Sequence, residues 1–387
     1  MSMPLAIFLI LCYNKEQKLH EKRTETIGKE KTKMRLIHCA DLHLDSPMES
    51  NLTPAKARER SREIREGFLR MVRYADENGV SAILIAGDLF DAQNVRASTV
   101  KYVLETVAAF PHIGFYYLAG NHDRGGAALT EGSFPENLHP FFDAWTSYDV
   151  GEVTVTGSER PHADTLSLSP NRINVVLLHG QERTGKGSDA GENIPLGLYR
   201  GKHIDYLALG HIHEYRERKL DVRGTVAYSG CLEGRGFDEC GEHGFVLLET
   251  EGNRITHRFV PFARRRLHTV AAEIGEANTH LLLEACVLDA VKDIPAEDLV
   301  KVVLTGKRQA EAPVDTARLS QLLSERFYFA KVRDESGLLI SAEDYQNDIS
   351  LKGEFIRRVM ASGLSEREKE RVIACGLRAL AGEELGV

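Results

Sequence analysis

Apolar and polar positions along this chain fall into blocks whose period switches between that of a strand and that of a helix. Arg35-Leu36-Ile37-His38-Cys39-Ala40 is a short apolar run that predicts a buried strand. From Ala55 to Asn78, apolar Ile64, Phe68, Leu69, Val72 and Ala75 recur at helical spacing, and Asn78-Gly79 supplies a stop. Val80 to Ala86 predicts a second strand, Ala97 to Phe110 a second helix closed by Pro111, and Ile113 to Ala119 a third strand. Strands separated by single helices are the pattern of parallel βαβ units.

The helices then thin out. Asp149–Ser158, Arg172–Leu178, Ile204–Leu209, Gly224–Ser229 and Gly244–Thr250 predict five further strands, which implies a second sheet packed on the first. The expected fold over residues 34–262 is an α/β (α+β) sandwich: two packed mixed β-sheets flanked by helices. Pro261-Phe262-Ala263-Arg264-Arg265-Arg266 marks a boundary. Beyond it, strands at Leu267–Ile274 and Leu299–Leu304 and a helix at Thr316–Phe327 predict a small α+β capping domain over residues 263–348. Residues 349–387 read as a helical tail. Leu351, Phe355, Ile356, Val359 and Met360 share one face, and Ser365 with Glu368 forms a capping box for a last helix carrying Val372, Ile373, Leu377 and Leu380. At the other end, Pro4 to Cys12 is apolar but too short to span a bilayer, and no basic residue precedes it as a signal peptide requires. Residues 1–33 therefore read as a disordered extension, with Met34 opening the domain.

Five of the predicted strands stop at short blocks of one chemical type: Asp41-Leu42-His43, Gly87-Asp88, Gly120-Asn121-His122-Asp123, His179-Gly180 and Gly210-His211-Ile212-His213. Open α/β sheets bind ligands at the C-terminal ends of their strands. Carboxylate, amide and imidazole without thiolate is the donor set of the harder divalent metals. Asp41, His43, Asp88, Asn121, His179, His211 and His213 supply enough ligands for a pair of them, and a metal pair that clamps a phosphate points to phosphoester hydrolysis. His122 and Asp123 remain as a His–carboxylate pair suited to proton transfer. Any one block alone is more simply a turn aspartate beside a surface histidine. Five in order, each after an apolar run, are not.

Composition narrows this only a little. The chain has 387 residues, 42% hydrophobic and 27% charged, so a full core is within reach. A net charge of −8 argues against bulk attraction to nucleic acid but not against a nucleic-acid enzyme, because bound metals add positive charge where the phosphate sits. The six cysteines are scattered without a CxxC pair, which fits a reducing compartment, and a cytoplasmic location without membrane attachment is expected.

Asp41-x-His43, Gly87-Asp88-Leu89-Phe90-Asp91, Gly120-Asn121-His122-Asp123, His179 and Gly210-His211-x-His213 together resemble the calcineurin-like metallophosphoesterase superfamily over roughly residues 34–262. Ala40-Asp41-Leu42-His43-Leu44-Asp45-Ser46-Pro47, Ala86-Gly87-Asp88-Leu89-Phe90-Asp91, Tyr228-Ser229-Gly230, Gly234-Arg235 and Gly244-Phe245 resemble its DNA-repair exonuclease branch, which includes the bacterial SbcD nuclease subunit. The resemblance implies one metal on Asp41, His43, Asp88 and His213. It implies a second that shares Asp88 and takes Asn121, His179 and His211. His122 would act beside the scissile phosphate, with Asp123 orienting it. Manganese is the implied metal, with magnesium, iron and zinc as alternatives. DNA is the implied substrate, an SMC-like SbcC-type ATPase the implied partner, and a homodimer a common arrangement. The tail helices suit docking on such a partner or packing on their own small domain.

The metal ligands alone do not separate a DNA exonuclease or endonuclease from a phosphomonoesterase, a protein phosphatase or a cyclic-nucleotide phosphodiesterase. A non-enzymatic scaffold on the same fold would be expected to have lost ligands. Four other signals carry less. Gly180-Gln181-Glu182-Arg183-Thr184-Gly185-Lys186-Gly187 nearly spells a P-loop but lacks the final hydroxyl and a following helix, so a loop is expected there. Arg264-Arg265-Arg266 reads as a solvated linker face and Trp145 as a core residue. His38 is either a packed strand residue or a support for the metal ligands.

Overall fold

The computed structural model describes residues 33–48, 52–91, 95–123, 134–183, 193–275, 277, 279–309, 314–339 and 345–380. Residues 1–32 of the expected N-terminal extension and the second half of the P-loop-like segment, 184–187, lie outside these residues. The chain divides between Arg266 and Leu267 into two units.

In chain order the first unit contains β1 (Arg35–Cys39), α1 (Pro54–Glu77), β2 (Ala82–Ala86), α2 (Ala97–Ala109), β3 (Gly114–Leu118), β4 (Leu138–Pro140), β5 (Thr146–Val150), β6 (Val153–Gly157), β7 (Ile173–His179), β8 (Gln181–Glu182), β9 (Asn193–Ile194), β10 (Tyr206–Gly210), β11 (Arg216–Lys219), β12 (Thr225–Tyr228), β13 (Gly244–Glu251) and β14 (Arg254–Pro261). Two six-stranded sheets result, ordered β14-β13-β1-β2-β3-β4 and β11-β12-β10-β7-β6-β5. β1, β2 and β3 run parallel, as do β7 and β10, so the residues after them emerge at C-terminal strand ends.

Period-2 alternation assigns each strand residue to one of two cores. Leu36, Leu84 and Tyr116 point to the layer shared with the second sheet, where they meet Val155, Val175, Leu177 and Tyr206. Ile37, Ile83, Ile85 and Phe115 point the other way, onto Ile64, Phe68, Met71 and Val72 of α1 and Val103 and Val107 of α2. The helical stripe read in the sequence is thus the buried face of α1. That helix starts at Pro54, with Thr53 accepting a bond from the Lys56 amide.

The inward side of α1 also carries charge. Arg60, fully buried, pairs with Glu63 (2.6 Å), reaches Glu233 (3.5 Å) and donates to the Gly234 carbonyl (2.9 Å). Arg265 joins by contacting Glu63 at 2.7 Å, and Arg70 by contacting Glu233 at 3.0 Å. The Arg264–Arg266 triplet is therefore no solvated linker face. Arg264 and Arg265 lie in this ion network, and Arg266 pairs with Glu242 at 2.7 Å.

Other departures have physical causes. Asp149–Ser158 is two strands, because Gly151 adopts φ 56° and turns the chain between β5 and β6. β14 escaped notice because none of its residues is fully buried and three of the eight are charged or titratable. His38 is packed strand core: its Nδ1 lies 3.0 Å from the Tyr206 hydroxyl, and burial lowers its pKa to about 3. Trp145 is partly buried against the outer core of the second sheet.

The second unit holds a parallel sheet, β15 (Leu267–Glu273), β16 (Leu299–Thr305) and β18 (Phe329–Asp334), with α3 (His280–Ala290) and α4 (Thr316–Ser324) as its crossovers. A small pair, β17 (Lys307–Gln309) and β19 (Gly337–Leu339), accompanies it. α3 was not legible because its apolar residues have no helical period, and of them only Leu283 and Val287 are fully buried. α5 (Leu351–Met360) and α6 (Glu366–Leu380) pack through Ile356, Val359 and Ile373, while Leu351, Val372 and Leu380 stay exposed. The Ser365–Glu368 capping box forms in both directions.

Candidate metal centre

The loops after β1, β2, β3, β7 and β10 converge at one edge of the sandwich. Backbone bonds set their spacing: the Asp41 amide donates to the Gly87 carbonyl and the His43 amide to the Asp88 carbonyl, both at 3.0 Å. Gly87 adopts φ 95°, and a Cβ there would collide with the His179 imidazole. A Cβ at Gly120 would collide with the Asp88 carboxylate. The glycines before Asp88 and Asn121 are what allow these loops to close this tightly. Asp41, His43, Asp88 and His211 themselves have positive φ values of 53°, 44°, 51° and 100°, a strain that proteins keep at functional sites.

Three groups of side chains each bring ligand atoms within 4.8 Å of one another: Asp41, His43 and His213; His43, Asp88 and His122; and Asp41, Asp88 and His179. Asp88 lies between the groups, with Oδ2 3.4 Å from His179 Nε2 and 3.7 Å from His43 Nε2. Its Oδ1 accepts the His122 amide at 2.9 Å. Asn121 Oδ1 contacts His179 Nε2 at 2.8 Å and lies 3.4 Å from His211 Nδ1. All seven expected ligand residues thus meet in one place.

The tautomers test whether these residues fit metal ions. His179 Nδ1 lies 2.9 Å from the Ala86 carbonyl, which can only accept, so in the neutral ring Nε2 presents a lone pair to Asp88 and Asn121. His213 Nδ1 lies 2.7 Å from Glu239 Oε1. Arg235, 3.0 Å from the same nitrogen, is itself paired with Glu239 at 2.8 Å, so the carboxylate is the acceptor. His213 Nε2 then also presents a lone pair, 3.2 Å from His43 Nε2. Imidazole lone pairs converging on two buried carboxylates form a donor set with an electron-pair surplus, which divalent cations satisfy.

Burial and neighbouring charge set the protonation of the cluster when no cation is bound. Burial pushes the Asp41 carboxyl up to about 6, and burial, with the Arg235 charge, lowers His43 to about 2. For Asp88, burial would raise the pKa, but the His179 hydrogen bond and charge bring it to about 2. For His179, burial would lower the pKa, but the Asp88 hydrogen bond and the Asp41 and Asp88 charges hold it at about 9.

His122 stands over this cluster with its side chain 48% exposed, edge-on to His43 at 4.9 Å. Asp123 does not orient it. The Asp123 carboxylate is buried and accepts from the amides of Gly120 (2.9 Å), Phe90 (2.8 Å) and Leu89 (3.2 Å), so it ties the third ligand loop to the second. The carboxylate nearest the His122 ring is Asp91, 3.9 Å from Nδ1. Sequence reasoning also missed Glu239 and Arg235 as supports of His213. Glu239 lies 26 residues beyond it in a segment with no apolar period, so no spacing signal marks it.

Residues 34–215 match the calcineurin-like phosphoesterase family. The chain is 27% identical over 301 residues to the uncharacterized metallophosphoesterase YhaO of Bacillus subtilis, covering 71% of this chain and 72% of that protein. It is 28% identical over 280 residues to the DNA double-strand break repair protein Mre11 of Methanopyrus kandleri, with 63% of this chain and 60% of the other covered. It is 27% identical over 275 residues to Mre11 of Aeropyrum pernix, with 63% and 65% covered. It therefore spans less than two thirds of the length of these two Mre11 proteins.

Proposed function

Because residues 34–215 form a domain of the calcineurin-like phosphoesterase superfamily, whose members typically bind two divalent metals, we propose that the chain is a metal-dependent phosphodiesterase acting on DNA. The observation that carries this is the convergence of the His179 and His213 Nε2 atoms with Asp41 and Asp88, each ring held in the metal-binding tautomer by a partner on its other nitrogen. A divalent pair bound there supplies Lewis acidity to the phosphate under attack. Asp41, His43, Asp88 and His213 are suited to hold one ion, and Asp88, Asn121, His179 and His211 the other. Manganese is our first choice, with magnesium, iron and zinc behind it.

The chain's own proton chemistry falls to His122. Its ring is solvent-accessible, borders the cluster and is anchored through its backbone to Asp88, so it is placed to protonate the leaving oxygen of a phosphodiester. Asp91 is the carboxylate positioned to steady the ring, and Asp123 acts only through the loop. The DNA assignment, an SbcD-type exonuclease or endonuclease role in repair, rests on the residues around the ligands and on the similarity to the Mre11 proteins. An SMC-like SbcC-type ATPase partner, a homodimer and a cytoplasmic location belong to the same reading. Among the described residues, no helix is long and apolar enough to cross a membrane.

The purified chain should hydrolyse DNA or a model phosphodiester with manganese. His122→Ala should lower turnover by about 10²–10⁴-fold while metal content stays unchanged. No metal-stimulated hydrolysis of any diester would sink the proposal, and a strong preference for monoesters would turn it toward a phosphatase.

A further inference from the structure

A groove of about 670 Å³ opens on the loop that follows His43, and its charge runs against the balance of the chain. The whole protein carries −8, yet the groove walls gather Arg58, Arg62, Arg65 and Arg96 around one carboxylate, Asp45. Arg96 is committed to Asp45, to which its backbone amide (2.9 Å) and guanidinium (2.5 Å) both donate. The other three stand at helical spacing on α1, a row about 10 Å long at 1.5 Å rise per residue. This is the outward side of the helix whose inward side buries Arg60 and Glu63.

None of these three cations is neutralised by a buried carboxylate among the described residues. Among the described residues, neither Arg58 nor Arg65 has a carboxylate within ion-pair distance. Arg65 instead lies over the Tyr102 ring, 5.3 Å from its centroid. Among those residues, Arg62 has only exposed Glu66, at 3.7 Å, a contact of little strength in water. The groove also starts where the candidate metal centre ends. The Ser46 amide closes a turn on the His43 carbonyl at 3.1 Å, and Asp45 lies two residues past His43, at most about 7.6 Å away between Cα atoms.

We propose that this groove holds the sugar-phosphate backbone of a nucleic-acid strand on one side of the phosphate seated at the metal centre. The proposal rests on the phosphodiesterase reading above and extends it from one phosphate to several. A row of separate guanidinium forks matches a repeating anion, where a single phosphate would call for converging ones. Among the described residues, the groove lining contains no aromatic side chain on which a base could stack, so the contact is with the backbone and is independent of sequence.

The test uses the full chain carrying Arg58→Gln, Arg62→Gln and Arg65→Gln together. Two assays are run: hydrolysis of bis(p-nitrophenyl) phosphate with manganese, and anisotropy of a fluorescent single-stranded 20-mer against salt concentration. The variant should turn over the small diester at the wild-type rate. It should bind the 20-mer at least tenfold more weakly at low salt, with the slope of log affinity against log salt reduced by about 2, as expected for three lost phosphate contacts at about 0.7 each. The triple Arg→Lys variant should recover most of the affinity. Unchanged affinity and slope in the Gln variant, or no binding of the 20-mer by the wild type, would overturn the groove proposal. Absence of small-diester hydrolysis in every form would instead overturn the phosphodiesterase reading and leave the anisotropy result to judge the groove. If the triple variant does not fold, Arg58→Glu alone, at the position with no carboxylate partner, reads the same affinity and slope.

Discussion

His179 and His213 meet at the same cluster from neighbouring strands of the second sheet, but they are held in different ways. His179 is fixed through Nδ1 by a main-chain carbonyl, that of Ala86 on the first sheet. His213 is fixed through Nδ1 by a side chain, Glu239, which Arg235 holds in turn. That pair sits in a segment whose Gly234 carbonyl is gripped by buried Arg60. One imidazole is oriented by the fold itself, and the other by a relay of side chains that a single substitution can interrupt. Half of the centre is therefore robust to mutation, and half depends on residues that bind nothing themselves.

The comparison can be broken most severely at Arg60. Arg60→Ala leaves Glu63 and Glu233 buried with fewer counter-charges, and a loss of about 3–5 kcal/mol is expected in denaturant unfolding of the metal-free protein. A change within 1 kcal/mol would show that the network does not support this half. Glu239→Gln acts more locally. Metal affinity should fall by about 10–100-fold, the usual cost of losing the partner that orients a ligand imidazole, with a smaller loss of stability than Arg60→Ala causes. Titration calorimetry showing wild-type affinity would mean that Arg235 or the backbone suffices to hold His213.

Proton release sharpens the same contrast. In the metal-free protein His179 is raised to about 9, so at pH 7 it carries a proton that a metal must displace, whereas His43, lowered to about 2, carries none. Affinity should rise by up to about tenfold per pH unit toward 9 and then level off. Calorimetry at pH 7 in buffers of different ionisation enthalpy should report about one proton released, and none would contradict the assignment. The sign for stability is opposite. Because the folded pKa lies above the ordinary 6.5, this histidine stabilises the metal-free fold fully below pH 6.5, and that contribution fades as pH rises through 9. The smallest effect belongs to Ala86→Gly. It keeps the carbonyl, so metal affinity should stay within about twofold while stability drops by about 0.5–1 kcal/mol. A large loss of affinity would show that the Ala86 side chain, not only its carbonyl, positions His179.

Legibility in the sequence follows the same division. The inner strands of both sheets are legible as apolar runs because both of their faces are buried, and helices α1 and α2 because one-sided burial imposes a period of 3.6. The ligand blocks are legible because each ends such a run. Asp123 was located but given the wrong partner, since nothing in Gly120-Asn121-His122-Asp123 shows that its carboxylate turns inward onto the amides of Gly120, Phe90 and Leu89. Glu239 was not found at all, because a contact made across 26 residues between a strand end and a loop leaves no trace in periodicity. The arginine row of α1 was hidden within a mixed-charge helix, Arg58 to Glu66. Only the fold shows which of those charges face inward.

The strand order β14-β13-β1-β2 has a consequence for how the protein is made. β1 emerges early, yet one of its edges pairs with β13, and Arg35 meets Glu249 only 214 residues later. At about 5–20 residues per second, a ribosome leaves that edge bare for about 10–40 s. The βαβ units carrying Asp41, Asp88 and Asn121 can collapse in that interval, but they do so with an open strand beside them. A message truncated shortly after His213 would release a chain that has every expected ligand and cannot close its first sheet. For this protein, completing the ligand set and completing the fold are separate events in time.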